Sequence, residues 1–458
     1  MITWKSKLDS LIRLAVERSS VTNEVRIGQG LLSDVGVVAR KVTSSPKALV
    51  VADARGFDAA GPAVVAALRD EGFSADTLIL PADPLPVASV GEAEPIRATL
   101  AADAGIFPVS VGSGVINDCV KYAAFRTDRR YMAVATAASM DGYTSAGASL
   151  ARDGFKVTIP TRAPVAMIAD LDVITAAPPE MNAWGYGDLA GKVPAGGDWI
   201  LAETMGAEPI DELAWSLVQE DLAVWLEGPE GIASGDKDAI ARLFTGLTAV
   251  GFAMEAHGSS RPASGAEHQI AHLWEMQGLE HNGRKVPHGA AVAVGCVASL
   301  ALFDWILEQD FDGFDVPATL DAAPGLDARE AELARAIHEP RTAAMARIEL
   351  RAKHVERDIH EIRLNRLRSN WRAVRKRLET QLVRREDMVS KLRRAGAPVS
   401  AAEIGVSPRH LLETLRAAAF IRRRYTIFDF LHDIGSTEAA IASVVPRLAG
   451  VSALEVRK

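Results

Sequence analysis

An α/β N-terminal domain built on a parallel sheet, followed by an all-helical C-terminal domain, is the fold class this sequence predicts. Two observations predict it. Up to about Asp172, short apolar runs alternate with stretches of helical spacing; after Pro178-Pro179 the strand signal nearly vanishes and the period settles close to 3.6. The length of 458 residues fits two or three domains at roughly 150 residues each, enough to bury a core without disulfide or metal staples.

In chain order, residues 24–30 (EVRIGQG) read as a short strand ending in a glycine turn. Apolar runs follow at 48–52 (ALVVA), 77–80 (TLIL), 107–111 (FPVSV), 131–135 (YMAVA) and 165–169 (VAMIA). Helical spacing separates several of them, as at 62–70 and 95–102. Buried runs joined by amphipathic helices make βαβ units, hence a mostly parallel sheet covered on both faces. The proline pair marks a hinge, because proline restricts the residue before it. The expected domains are 1–177 and 178–458. Within the second, residues 341–396 carry roughly ten more basic than acidic residues, without a heptad clean enough for a coiled coil.

Composition excludes several classes. Two cysteines, Cys119 and Cys296, rule out a disulfide scaffold and any four-thiolate site, and point to a reducing compartment. The net charge of −8 makes the chain as a whole no attractor of nucleic acid. Residues 1–20 are amphipathic and charged, unlike a signal peptide, and no uninterrupted apolar stretch approaches the length of a membrane span. The expectation is a cytoplasmic protein with neither membrane nor nucleic-acid partner.

The run 107–111 leads straight into Gly112-Ser113-Gly114-Val115-Ile116-Asn117-Asp118 and then a helix-like CVKYAAFR. A glycine turn between strand and helix exposes backbone N–H groups at the positive end of a helix dipole, a ready anion site. Against G-x-G-x-x-G the match is partial, since Asn117 replaces the third glycine; a purely structural turn has the same composition. A second turn strengthens the ligand reading. Strand 131–135 ends in Thr136-Ala137-Ala138-Ser139-Met140-Asp141, with Ser145 close behind, and open α/β sheets bind ligands at the carboxyl ends of their strands. Asp53, ending the run 48–52, suits a ribose hydroxyl or a plain loop carboxylate. The glycine turn follows the third of these runs rather than the first, unlike an ordinary Rossmann dehydrogenase.

Asp188, placed at the start of an expected helix, and His268 and His288 stand out as metal ligands in the helical half. Residues 267–277 read as a helix, so His268 and His272, four apart, share a face. One carboxylate and two neutral imidazoles satisfy a first-row divalent cation and leave a position open for substrate. With ten histidines in the chain, a cap (Asp188 before residues 189–192) or a satisfied core group is the competing reading. His257 and His281 read as loop residues.

GSGVINDCVKY, TAASMDGYTSAG, GYGDLAGK, SRPASGAEHQIAHLWEM and the HG of His288 together resemble the glycerol-1-phosphate dehydrogenases. Those enzymes share a superfamily with iron-containing alcohol dehydrogenases, glycerol dehydrogenases and dehydroquinate synthases. Segment 421–435 is similar to the closing helices of a bacterial subgroup. The likeness covers most of the chain in order and approximate spacing. It implies a dehydroquinate synthase-like fold, with an NAD(P)-binding domain, a helical metal-binding domain and a site in the cleft between them. Carried over by position, nucleotide contacts fall on Gly114, Val115, Ile116, Asn117 and Asp118, with Gly112 opening the turn, then on Thr136, Ala137, Ala138, Ser139 and Ser145. Asp141 falls on a substrate contact, Asp188 on a residue binding metal and substrate, His268 and His288 on metal ligands, and His272 on a further substrate contact. Asp141 and His272 are thus the catalytic candidates. The implied cofactors are NAD or NADP and one divalent metal, zinc first, with nickel or iron in relatives. The implied substrate is a small phosphorylated three-carbon ketone, dihydroxyacetone phosphate, and a homodimer fits the large helical half.

Two departures from the family pattern bear on substrate. The segment after Asp188 reads GKVPAGGDW where a more polar run is expected, and HGAAVAVG lacks an acidic residue two after His288. Lys192 and Arg261 lie in segments suited to a phosphate, with a solvated charge as the competing reading of each. Asp53 favours NAD, whereas Arg55 suits a 2′-phosphate. Competing functions are reduction of an unphosphorylated polyol ketone and a dehydroquinate-synthase-like cyclisation, against which Asp188 counts because that family places Glu there. A third is a helical module in which residues 341–396 grip an acidic partner or RNA; interleaved acids and a lone aromatic, Trp371, count against it.

Overall fold

The computed structural model describes residues 4–81, 83, 85–152 and 155–449; the outer ends of both expected domains lie outside the described residues. The chain forms two compact units, Met1–Leu189 with Leu213–Ala263, and Ala190–Glu212 with Ser264–Lys458. The helices of 213–263 therefore cluster with the sheet.

In the first unit the sheet strands are β1 (Glu24–Gly28), β2 (Lys47–Asp53), β3 (Ser74–Leu80), β4 (Ile106–Gly112), β5 (Met132–Ala135) and β8 (Ala166–Asp170). Between the last two lies an antiparallel hairpin of β6 (Gly147–Arg152) and β7 (Phe155–Pro160), which the sequence did not suggest. The six sheet strands are all parallel, in the order β1-β8-β5-β4-β2-β3. Central strands, covered on both faces, bury nearly every residue and therefore read as apolar runs. The edge strands are more polar, β1 half-buried throughout and β3 mostly exposed.

Strand β2 pairs with β3 on one side and β4 on the other, so the chain reverses direction across the sheet between β2 and β4. Ligand crevices of open α/β sheets form at such a switch point. That topology explains why the glycine turn follows β4. The register sets Gly112 opposite Ala135, and Thr136 N–H donates to Gly112 O at 3.2 Å, so the turns after β4 and β5 leave the sheet side by side.

Pro179 opens the helix Pro179–Ala190, where its missing N–H breaks no intrahelical bond. Asp188 consequently lies in the last turn of that helix, not at the start of one. Low-propensity Gly185 and Gly187 had hidden the continuity.

The second unit is helical apart from two-residue strands at Glu280–His281 and Arg284–Lys285. Its centre is the apolar helix His288–Leu307. This helix and Lys237–His257 of the first unit are long and apolar enough to cross a membrane, which corrects the expectation that no such stretch exists. Their apolar windows are 83% and 72% buried inside the protein, the condition of core helices that are apolar all round. Arginines of residues 341–396 meet acids from elsewhere in this unit: Arg351 pairs with Glu330 (2.5 Å), Arg372 with Asp312 (2.6 Å) and Arg377 with Glu203 (2.7 Å).

Candidate active site

The helix Gly114–Arg126 starts immediately after β4, and its N-cap residue Ser113 makes no side-chain cap bond. The first N–H groups of a helix have no intrahelical acceptors, so Gly114, Val115 and Ile116 present donors at the switch point. Asp53 lies at the adjacent strand end and caps the helix Ala54–Asp70, accepting from Gly56 N–H at 2.7 Å. Backbone donors at such a turn can bind an anion.

Asn117 and Asp118 point their side chains into the protein. Tyr131 Oη donates to Asn117 Oδ1 at 3.2 Å, and Asp118 accepts from Ser149 N–H at 3.0 Å. One turn on, the fully buried Lys121 ammonium donates to Gly142 O (2.6 Å), Ser145 Oγ (3.1 Å) and Gly147 O (3.1 Å), with Asp118 Oδ1 at 3.5 Å. Burial pushes the Asp118 carboxyl up and the Lys121 ammonium down, while their mutual attraction opposes both shifts. Lys121 thus ties this helix to the loop carrying Asp141 and Ser145. The sequence signal was a lone lysine in an otherwise buried helical run.

Two glycines let helices press on the backbone of that loop. A Cβ at Gly185 would lie 1.8 Å from Ala138 O; one at Gly251 would lie 2.1 Å from Thr144 Oγ1 and 2.9 Å from Asp141 O. The loop is held tightly enough to fix Asp141, whose N–H donates to Asp188 Oδ2 at 3.1 Å. Asp188 is fully buried.

In the second unit, helix Ala266–Met276 projects His268 and His272 from one face, and His288 opens its own helix. The three rings cluster, with centroids 5.7 Å (His268–His272), 5.2 Å (His268–His288) and 5.6 Å (His272–His288) apart. Their Nδ1 atoms have different partners. His268 Nδ1 meets Glu267 Oε1 at 2.7 Å and His288 Nδ1 meets Glu275 Oε1 at 2.6 Å. A carboxylate only accepts, so with both rings neutral the proton sits on Nδ1 and the lone pair on Nε2, the tautomer of an imidazole that ligates a metal through Nε2. Arg422 Nη2 lies 3.4 Å from His272 Nδ1, and a guanidinium only donates. With Nδ1 as the acceptor of that contact, a neutral His272 carries its proton on Nε2.

Neither Glu267 nor Glu275 was singled out from sequence, although each lies within three residues of a histidine. Buried Glu267 also accepts from Gly265 N–H (2.7 Å), and buried Asp198 accepts from Ala266 N–H and Ile427 N–H (both 2.6 Å), fixing the start of the histidine helix. His272, Glu275 and His288 by themselves offer three donor atoms within 4.8 Å of one another. Imidazole nitrogens and carboxylate oxygens are ligand types of first-row divalent cations. Lys192 and Arg261 are buried, not solvated charges.

The family model for iron-containing alcohol dehydrogenase matches residues 26–178. The chain is 39% identical over 253 residues to the glycerol-1-phosphate dehydrogenase [NAD(P)+] of Bacillus subtilis (strain 168), covering 55% of this chain and 64% of that relative. It thus spans less than two thirds of that relative's length. With the enzyme of the same name from Geobacillus stearothermophilus it shares 30% identity over 330 residues, 71% of each chain. Among solved structures, a probable glycerol dehydrogenase from Sinorhizobium meliloti 1021 superposes with a TM-score of 0.62 at 17% identity, over 94% of this chain and 99% of that one, a likeness of fold.

Proposed function

Because the chain belongs to the glycerol-1-phosphate dehydrogenase family, we propose that it interconverts glycerol 1-phosphate and dihydroxyacetone phosphate with NAD or NADP. The observation that carries this reading is a cluster of three imidazoles, two of them with Nδ1 on a carboxylate oxygen and the third with Nδ1 on a guanidinium nitrogen.

In this reading residues 1–177 supply the nucleotide contacts and 178–458 the metal ligands. Asp188, His268 and His288 hold one divalent cation, zinc first, with nickel or iron as alternatives. When bound, the cation supplies Lewis acidity toward the carbonyl oxygen and the nicotinamide supplies the hydride. The N–H groups of Gly114, Val115 and Ile116 bind the pyrophosphate; Thr136, Ala137, Ala138, Ser139 and Ser145 line the nucleotide, and Asp53 suits its ribose. Asp141 and His272 orient the substrate hydroxyls. His272, with its proton on Nε2, is also suited to hydrogen-bond the oxygen that gains charge during reduction, and to supply the proton that balances the hydride. Glu267 and Glu275 hold the tautomers of the ligand imidazoles.

The reading entails a small phosphorylated three-carbon substrate, a cytoplasmic location, a homodimer, and neither nucleic-acid nor membrane partner. Its test compares NADH and NADPH oxidation with dihydroxyacetone phosphate and with dihydroxyacetone. A strong preference for the phosphorylated ketone is expected, and equal rates would overturn the phosphate assignment.

A further inference from the structure

Arg422 begins a run of three arginines whose other two members are accounted for. Arg423 grips Glu349 through Nη2–Oε1 at 2.8 Å and Nε–Oε2 at 3.1 Å, with its own N–H on Oε2 at 2.7 Å. Arg424 donates to Ser264 O at 2.7 Å. Arg422 is half-buried, and its hydrogen bond is the long one to His272 Nδ1; among the described residues no carboxylate lies within ion-pair distance of it. The two acids near it are already engaged, Glu349 by Arg423 and Glu275 by His288. Burial pushes the Arg422 guanidinium below its ordinary value, with Glu349 and Glu275 opposing that shift, so the cation sits where a dianion would relieve it.

We propose that Arg422 binds the substrate phosphate and makes the enzyme specific for the phosphorylated ketone over the free one. The proposal rests on the function proposed above. It follows from three features: an Arg fork matches phosphate oxygens bidentately, most of its five donors are uncommitted, and it touches the imidazole assigned to the substrate hydroxyls. In a three-carbon ketone the phosphate is separated from the carbonyl carbon by a single CH₂–O link, so its cation must stand beside the imidazole cluster. The phosphate thus meets a cation carried on the closing segment 421–435, which the reading of the catalytic residues left without a role.

The test measures kcat/KM for dihydroxyacetone phosphate and for dihydroxyacetone in the wild type, R422Q and R422K, as metal-loaded full-length enzyme. Glutamine keeps an N–H for His272 while removing the charge. The expected result is a fall of about 100-fold in the phosphorylated-to-free ratio for R422Q, expressed mainly in KM, with R422K in between. Inorganic phosphate should inhibit the wild type competitively and R422Q far less. A role confined to positioning His272 lowers both substrates in step, leaves the ratio where it was, and overturns the proposal. A wild type that shows no preference between the ketones overturns the phosphate assignment of the proposed function, a distinguishable failure. If R422Q is poorly folded, the ratio in R422K and its phosphate inhibition decide the matter.

Discussion

Glu275 Oε1 lies 2.6 Å from Nδ1 of His288, joining the last turn of helix Ala266–Met276 to the first residue of helix His288–Leu307. This contact fixes both the ring orientation and the tautomer of His288. Replacing Glu275 with Gln offers Nδ1–H a weaker, neutral acceptor, and its amide end can turn to face the ring. Metal affinity should fall about 10- to 100-fold while the fold persists. Competition with a chromophoric chelator measures this; an unchanged affinity would remove Glu275 from the metal's support.

Asp188→Asn and His268→Ala should both lose bound metal and reductase activity while keeping their far-UV circular dichroism. The asparagine side chain retains an oxygen to accept the Asp141 N–H, so the local backbone is preserved. Metal analysis beside activity checks this, and a metal-free variant with retained activity would point to a different site.

Gly251 touches the backbone of the loop that carries Asp141 and Ser145. Gly251→Ala sets a carbon 2.1 Å from Thr144 Oγ1 and 2.9 Å from Asp141 O, and a backbone oxygen yields only if the loop moves. A displacement of this kind remote from the reacting atoms costs about 100-fold in rate. We expect kcat/KM to drop by about that factor, with NAD(P)H binding weakened in fluorescence titration.

Lys121 holds three acceptors and the buried Asp118 carboxylate. Lys121→Met leaves that carboxylate uncompensated, which typically costs about 3–5 kcal/mol. Denaturant unfolding should show a loss of this size. Lys121→Met combined with Asp118→Asn should lose less than the sum of the singles, because neighbouring partners are non-additive.

Much of the sheet was legible because central parallel strands, buried on both faces, read as uninterrupted apolar runs; those at 48–52 and 107–111 fall inside β2 and β4. The β6–β7 hairpin escaped because β6 alternates buried and half-exposed positions over only six residues. A shared face for His268 and His272 followed from their spacing, and their rings are neighbours. Partnerships were not legible. Lys121 meets carbonyls 21 and 26 residues away, and Arg422 meets His272 across 150, distances at which one sequence carries no pairing signal. The position of Asp188 was misjudged because two glycines interrupt a helix that tertiary packing sustains.

His432, in helix Ile427–Asp433, provides a pH test of the closing segment. Burial drives its imidazole well below the ordinary value, aided by the nearby basic groups Arg329, His360, Lys353 and His354. The folded protein therefore keeps His432 neutral at pH values where the unfolded chain binds a proton. The stability this lends is present above the unfolded value, about 6.5, and is lost as pH falls toward the depressed folded value. The slope reaches about 1.4 kcal/mol per pH unit for one proton. Neighbouring Asp433 runs the other way, since burial raises its carboxyl and the folded state takes up that proton first on acidification. The His432 contribution is therefore clearest just below pH 6.5, where the unfolded imidazole titrates. Urea midpoints measured from pH 7.5 to 5.5 should decline in the wild type, and His432→Gln should flatten that decline. An equal slope in both proteins would assign the acid sensitivity to another group.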